Sequence, residues 1–85
     1  MKIRRTRRFK KDYRKLSPDL QRRVDGKLRL LLQDPRHPSL RVHKIRGTDD
    51  VWELSVTMNC RLIFEIETEY YVLLAVGPHD IVERF

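Results

Sequence analysis

Arg61 and His79 are the side chains whose types and positions best suit them to chemistry in this chain of 85 residues. Arginine offers a planar, permanently charged fork that grips phosphate through two bonds. Histidine exchanges a proton near neutral pH. Arg61 opens the run RLIFEI, and His79 follows the run YYVLLAV in the turn GPHD. Ahead of both lies PRHPSLRVHKIRGTDD, an irregular stretch carrying Arg36, His37, Arg41, His43, Lys44 and Arg46. Plainer readings stand beside these. Arg61 can serve as the partner of Glu53 and Glu65, His79 can be a turn histidine bonded to backbone, and the loop can be a solvated cationic connection.

The elements that must position these groups are three apolar, β-branched and aromatic runs, VWELSVT, CRLIFEI and YYVLLAV, joined by short polar breaks. This is the pattern of an antiparallel meander, with strands over 51–57, 61–66 and 71–76. Trp52, Leu54 and Val56 alternate with Glu53, Ser55 and Thr57; Leu62, Phe64 and Ile66 alternate with Arg61, Ile63 and Glu65. One sheet face is therefore apolar, and the other carries Glu53, Ser55, Arg61 and Glu65. Parity constrains the first hairpin, because a slip of one residue turns every side chain over. A two-residue Met58-Asn59 turn would bury Arg61. A three-residue loop, Met58 to Cys60, keeps the faces consistent, with Asn59 or a neighbour left-handed. That register sets Glu53 opposite Glu65. The last strand returns the chain end to the sheet, so His79 can reach the cleft that Arg61 faces.

Upstream, KIRR reads as an edge or near-edge strand over residues 2–5. Thr6 caps a helix in which Phe9, Tyr13 and Leu16 share one face. Ser17-Pro18-Asp19 starts a second helix with the stripe Leu20, Val24, Leu28 and Leu31, and Asp34-Pro35 stops it. Gly26 weakens that helix by roughly 1 kcal/mol relative to alanine. The expected fold is α+β: one domain over residues 1–85, with an N-terminal strand and an αα-hairpin packed on the face bearing Trp52, Leu54, Leu62 and Phe64.

Composition narrows the function. The net charge is +7. The first 46 residues hold 17 Lys/Arg against 4 Asp/Glu, and the remainder 2 against 8. Segregation of this kind points to a polyanion or an acidic protein docking on the first half. No apolar run is long enough to span a membrane or to resemble a signal-peptide core. The single cysteine, Cys60, excludes an internal disulfide and fits a reducing cytoplasm. No His/Cys pair has metal-ligand spacing, and no Gly-rich phosphate loop is present.

The order KIRRTRRFKKDYRKL, amphipathic helix, LRVHKIRGTDDVWELSVTMNCRLIFEI, VLLAVGPHD resembles the RelE/ParE superfamily of bacterial type II toxins, in its RelE/YafQ/HigB-like branch. The resemblance covers nearly the whole chain. It implies a cytoplasmic toxin neutralised by a cognate antitoxin, and an mRNA endonuclease acting with the ribosome and mRNA as partners, without a metal, a cofactor or a membrane. A ParE-like gyrase poison and a non-catalytic RNA-binding relative are the alternatives. On this resemblance Arg61 holds the scissile phosphate and His79 transfers a proton, with Lys44 adding charge. Arg41, His43, Lys44 and Arg46 correspond in type to a basic RNA-contacting loop. Asn59 and Asp80 join the RNA-binding set, although Asn59 can instead serve the turn, and Asp80 can orient His79 or cap a short terminal turn. Two departures stand out. The segment HPSLRVHK lacks the carboxylate that some relatives use as general base, leaving His43, His79 or Glu53. Phe85 lies six residues beyond His79, with Glu83 in the nearer slot where relatives often carry a catalytic aromatic.

Overall fold

The computed structural model describes residues 1–85. Strand β1 (Lys2–Arg5) leads into helices α1 (Arg7–Arg14) and α2 (Pro18–Gln33). A 3-10 turn (Pro38–Leu40) precedes β2 (His43–Lys44), β3 (Val51–Ser55), β4 (Cys60–Ile66) and β5 (Tyr70–Pro78), and a second 3-10 turn spans His79–Arg84. The strands form one sheet in the order β1-β5-β4-β3-β2. β1 runs parallel to β5 and the other pairs are antiparallel. The helical hairpin is the crossover that a parallel β1–β5 pair requires.

Each helix starts where its cap residue stands. The Thr6 side chain accepts from the Phe9 amide at 3.2 Å, and the Ser17 hydroxyl accepts from that of Leu20 at 3.2 Å. Thr6 also donates its hydroxyl to the Leu73 carbonyl at 2.7 Å, which fixes the start of α1 on β5. The Tyr13 hydroxyl donates to Asp25 at 2.8 Å and ties α1 to α2. Beyond the end of β1, the open edge of β5 is closed by α1 itself, with the Val76 amide donating to the Asp12 carboxylate at 3.2 Å. Asp12 is the one acidic residue of α1, whose first turn has none. Arg7–Lys11, Lys10–Arg14 and Lys11–Lys15 are like-charge neighbours one turn apart, each costing about 0.2–0.5 kcal/mol. Packing of Phe9, 1% exposed, and of Leu16 and Tyr13 against the main core holds the helix in place.

That core lies between the helices and one sheet face: Phe9, Val24, Leu28 and Leu31 meet Leu54, Leu62, Phe64, Leu73 and Val76, with Trp52 partly buried beside them. The expected packing of the hairpin on Trp52, Leu54, Leu62 and Phe64 is what the structure has. The hairpin register differs from the expectation by two residues. Ser55 pairs with Arg61 and Glu53 with Ile63, while Glu65 faces Val51. Five residues, Val56 to Cys60, separate the last register pair, Ser55 and Arg61, and the Val56 amide donates to the Cys60 carbonyl at 2.9 Å. An odd loop length was required by parity, and five satisfies it as well as three. Asn59 is not left-handed; the positive-φ positions are Arg41 (φ 48) and Gly47 (φ 85).

The second sheet face is less open than alternation implies. Ile45, Ile63, Ala75 and Ile81 form a second, smaller core there, with Val51, Leu74, Val82 and Phe85 packed against it. Two features build it. Leu74 has no partner on β4, because the register shifts between Ile63 and Phe64. This bulge resets the alternation of β5, so Leu73 and Val76 share the helix face while Ala75 turns to the other. The terminal 3-10 turn then folds back and seats Ile81 over Gly77, where an added Cβ would stand 3.3 Å from the Ile81 Cδ1 atom.

Candidate functional site

The last row shared by the three central strands crosses Ser55, Arg61 and Gly77. Arg61 projects from it and folds back onto its own hairpin. Its Nη1 donates to the carbonyls of Thr57 at 2.7 Å, Met58 at 2.9 Å and Cys60 at 3.2 Å. Its Nε lies 3.6 Å from a Glu53 carboxylate oxygen, both side chains about one-fifth exposed (20% and 19%). The plain reading of Arg61 as a partner of Glu53 is therefore realised, while Glu65 takes no part. Nη2 carries no hydrogen bond or ion pair. The guanidinium is thus held in one orientation with Nη2 left without a hydrogen bond, so that an oxyanion can meet that nitrogen with little further ordering cost.

That arginine shares a cleft of about 290 Å³ with Lys27, Ser39, Arg41, Ser55, Val56, Thr57 and Met58. Three of the lining side chains are cations, three carry hydroxyls and none is a carboxylate. Lys27 reaches it from α2, its Nζ donating to the Ser39 carbonyl at 3.2 Å. Arg41 enters from the first 3-10 turn, whose start is fixed by His37: the Ser39 amide donates to His37 Nδ1 at 3.1 Å. The left-handed backbone at Arg41 follows that turn directly. A cleft of this composition takes a tetrahedral anion, and hydroxyls beside the cations can bond its remaining oxygens.

His79 stands at the same end of the sheet. Cys60 is the register partner of Pro78, and the His79 amide donates to the Asn59 carbonyl at 2.8 Å. Its ring is exposed, makes no hydrogen bond and does not line the Arg61 cleft. Asn59 contributes its backbone to this junction, and its amide donates to the Thr57 hydroxyl at 3.3 Å.

The remaining expected residues disperse. His43 is opposite Glu53 on the face of Arg61, whereas Lys44 is opposite Trp52 and so on the helix-bearing face. Lys44 does not line the Arg61 cleft. Arg46 lies in the β2–β3 turn, at the end of β3 opposite to Ser55. Asp80 makes neither expected bond: its carboxylate does not touch His79, and the terminal turn has no side-chain cap. It lines instead a separate cleft with Arg8, Lys15 and Arg84. Phe85 packs against the second core with the Arg8 guanidinium 5.6 Å from its ring centroid. Cys60 is buried, and burial raises its pKa above the ordinary 9.0 against the opposing pull of Arg61, so it stays a thiol at neutral pH. Lys27 and Ser39 had no signal in the sequence, since only the docking of α2 and the first 3-10 turn beside the hairpin makes them neighbours of Arg61.

Among solved structures, the YoeB/ParE toxin from Agrobacterium tumefaciens superposes with a TM-score of 0.79 at 14% identity, covering 93% of this chain and 99% of that one. YafQ from E. coli strain BL21(DE3) gives 0.79 at 14%, covering 94% of each chain. A chain of the intact E. coli RelBE toxin–antitoxin complex gives 0.71 at 24%, covering 89% and 93%. At these identities the likeness establishes the RelE-like fold. No match was found among curated protein sequences. The family model described as the ParE toxin of the type II toxin–antitoxin system, parDE, matches residues 3–82. On that match over nearly its full length, the chain belongs to the ParE toxin family within the RelE/ParE superfamily of type II toxin–antitoxin systems.

Proposed function

We propose that this toxin cleaves mRNA on the ribosome and is held inactive by a cognate antitoxin. The observation that carries the reading is the carboxylate-free cleft in which Lys27, Arg41 and the pinned Arg61 converge. Cleavage of RNA without a metal needs cations around the phosphorus as the 2′-oxygen attacks and the bond to the 5′-oxygen breaks. It also needs a group that moves the proton between those oxygens. Arg61 and Arg41 supply the first requirement, with Lys27 behind them. His79, beside the hairpin at the same sheet end, supplies the second. His43 and Glu53 face the same side and are the further candidates for the base. The antitoxin partner is supported by the neighbours solved as complexes, RelBE and DinJ-YafQ among them.

The test is induction in bacteria with primer extension on a reporter mRNA. Wild type should cut the reporter. Arg41→Ala should lose about 10²-fold in rate, the scale for removing one donor to the charge that develops, and His79→Ala about 10²–10⁴-fold, as loss of a general acid or base does. A second reading is favoured by one observation, the ParE description of the matching family model: poisoning of DNA gyrase. If the reporter stays intact while supercoiling assays show trapped gyrase, that reading replaces the first.

A further inference from the structure

Arg5, Arg7, Lys10, Lys11, Arg14 and Lys15 are all exposed. None of them makes an ion pair, although Arg8 between them does, with Asp12. On α2, by contrast, Asp19 lies within 3.9 Å of Arg22 and 3.1 Å of Arg23. Arg7, Lys11 and Lys15 fall four residues apart, in one row along α1. The row has a direction. Thr6 anchors its start on Leu73, and at its end Lys15 and Leu16 meet Gly77 and Pro78, next to His79. There they wall a cleft of about 440 Å³ that also holds Arg8, Asp12, Asp80 and Arg84. Asp12 is occupied by the Val76 amide and by Arg8 at 3.5 Å, whereas Asp80 has no partner.

We infer that the outer row of α1, Arg7, Lys11 and Lys15, is a docking track for the phosphate backbone of single-stranded RNA, leading over the Lys15–Arg84 cleft to the sheet end where Arg61 and His79 stand. The inference rests on the RNA-cleaving reading of that sheet end. An RNA bound there must continue past it, and its next phosphates need cations whose charge is not already neutralised. Eight helical residues span about 12 Å, room for more than one phosphate of an extended strand. The crowding of like charge on α1 is unfavourable in the free protein, and a bound polyanion removes it. Asp80 is the exception in the cleft and works against phosphate there.

The probe is a 5′-labelled 2′-O-methyl oligouridylate of twelve nucleotides, which cannot be cut, titrated by fluorescence anisotropy across a range of salt concentrations. The double variant Lys11→Ala/Lys15→Ala should bind it at least about tenfold more weakly. Its log–log salt slope should be shallower by about 1.4, the value for two lost phosphate contacts on a single strand. Asp80→Asn should tighten binding. Unchanged affinity and slope in the double variant would overturn the track, as would weaker binding by Asp80→Asn. So would a polyglutamate probe that binds wild type as tightly as the oligonucleotide and is lost in the same double variant, since the surface would then serve an acidic protein. The two readings fail separately. A wild type that binds along α1 yet leaves reporter mRNA intact keeps the track and loses the nuclease, and a cutting enzyme with an indifferent double variant does the reverse.

Discussion

Arg61 was legible because parity fixes its side of the sheet whichever odd loop the hairpin adopts. What parity could not give was the use of the side chain, which closes its own hairpin through three carbonyls and leaves Nη2 without a hydrogen bond. This makes Arg61→Ala a poor probe of catalysis. It strips charged hydrogen bonds from the loop and leaves Glu53 without its partner, and should cost about 1.5–3 kcal/mol of stability. Arg41 makes no side-chain hydrogen bond or ion pair, so on the proposed nuclease activity Arg41→Ala should lower cleavage while leaving the melting temperature close to wild type. Paired melting and primer-extension measurements on the two variants check this separation. A large drop in melting temperature for Arg41→Ala would mean that its role is structural. Lys27, the third cation, was invisible for a simple reason: a lysine on an amphipathic helix reads as solvated until the helix is docked.

At the level of elements, β1, β3, β4, β5, both helices and both helix caps follow from local signals: alternation, a period of 3.6, and Thr or Ser ahead of an apolar stripe. The two-residue β2 lies in a stretch that reads as irregular and is too short to alternate. Two further things did not follow. The register of the β3–β4 hairpin was off by two because alternation decides odd against even and nothing finer. The second core escaped because YYVLLAV is apolar throughout, and a bulge within a continuous apolar run leaves no mark on the pattern. Hence a face expected to be polar carries Ile63 at 0% exposure under Ile81 at 7%. The weak point expected in α2 is real and open to repair. Gly26 is helical, and nothing lies within 4 Å of where its Cβ would be. Gly26→Ala should therefore stabilise the protein by about 0.5–1 kcal/mol, seen as a raised denaturation midpoint with an unchanged slope. A loss of stability would mean that the helix needs the flexibility.

For the molecule as a whole, three acids held in their neutral form set the alkaline limit. Burial first, then the bond to Asp25, raises Tyr13 above its ordinary 10.0; burial alone raises Tyr71 above 10.0; and burial raises Cys60 above 9.0. Above those values the unfolded chain has released protons that the folded chain still binds. Stability must then fall as pH rises. Urea midpoints measured at pH 8 and at about pH 10.5 should show the drop, smaller in Tyr71→Phe. The uneven charge of the chain was plain in the sequence. Its concentration on the outside of α1, where Arg7, Lys11 and Lys15 pair with no carboxylate, needed the fold. The arrangement of strands carries a last consequence, one of timing. β1 is made first, yet its only neighbour is β5, whose pairing with it begins at Tyr70. At bacterial synthesis rates of roughly 5–20 residues per second, several seconds separate the two. For that interval the emerging chain has a first strand without a partner and α1 without the strand it packs on, so neither the cleft nor the cation row exists. A toxin of this topology completes its fold only when almost all of the chain has emerged, which leaves a window in which an antitoxin already present can meet it as it folds.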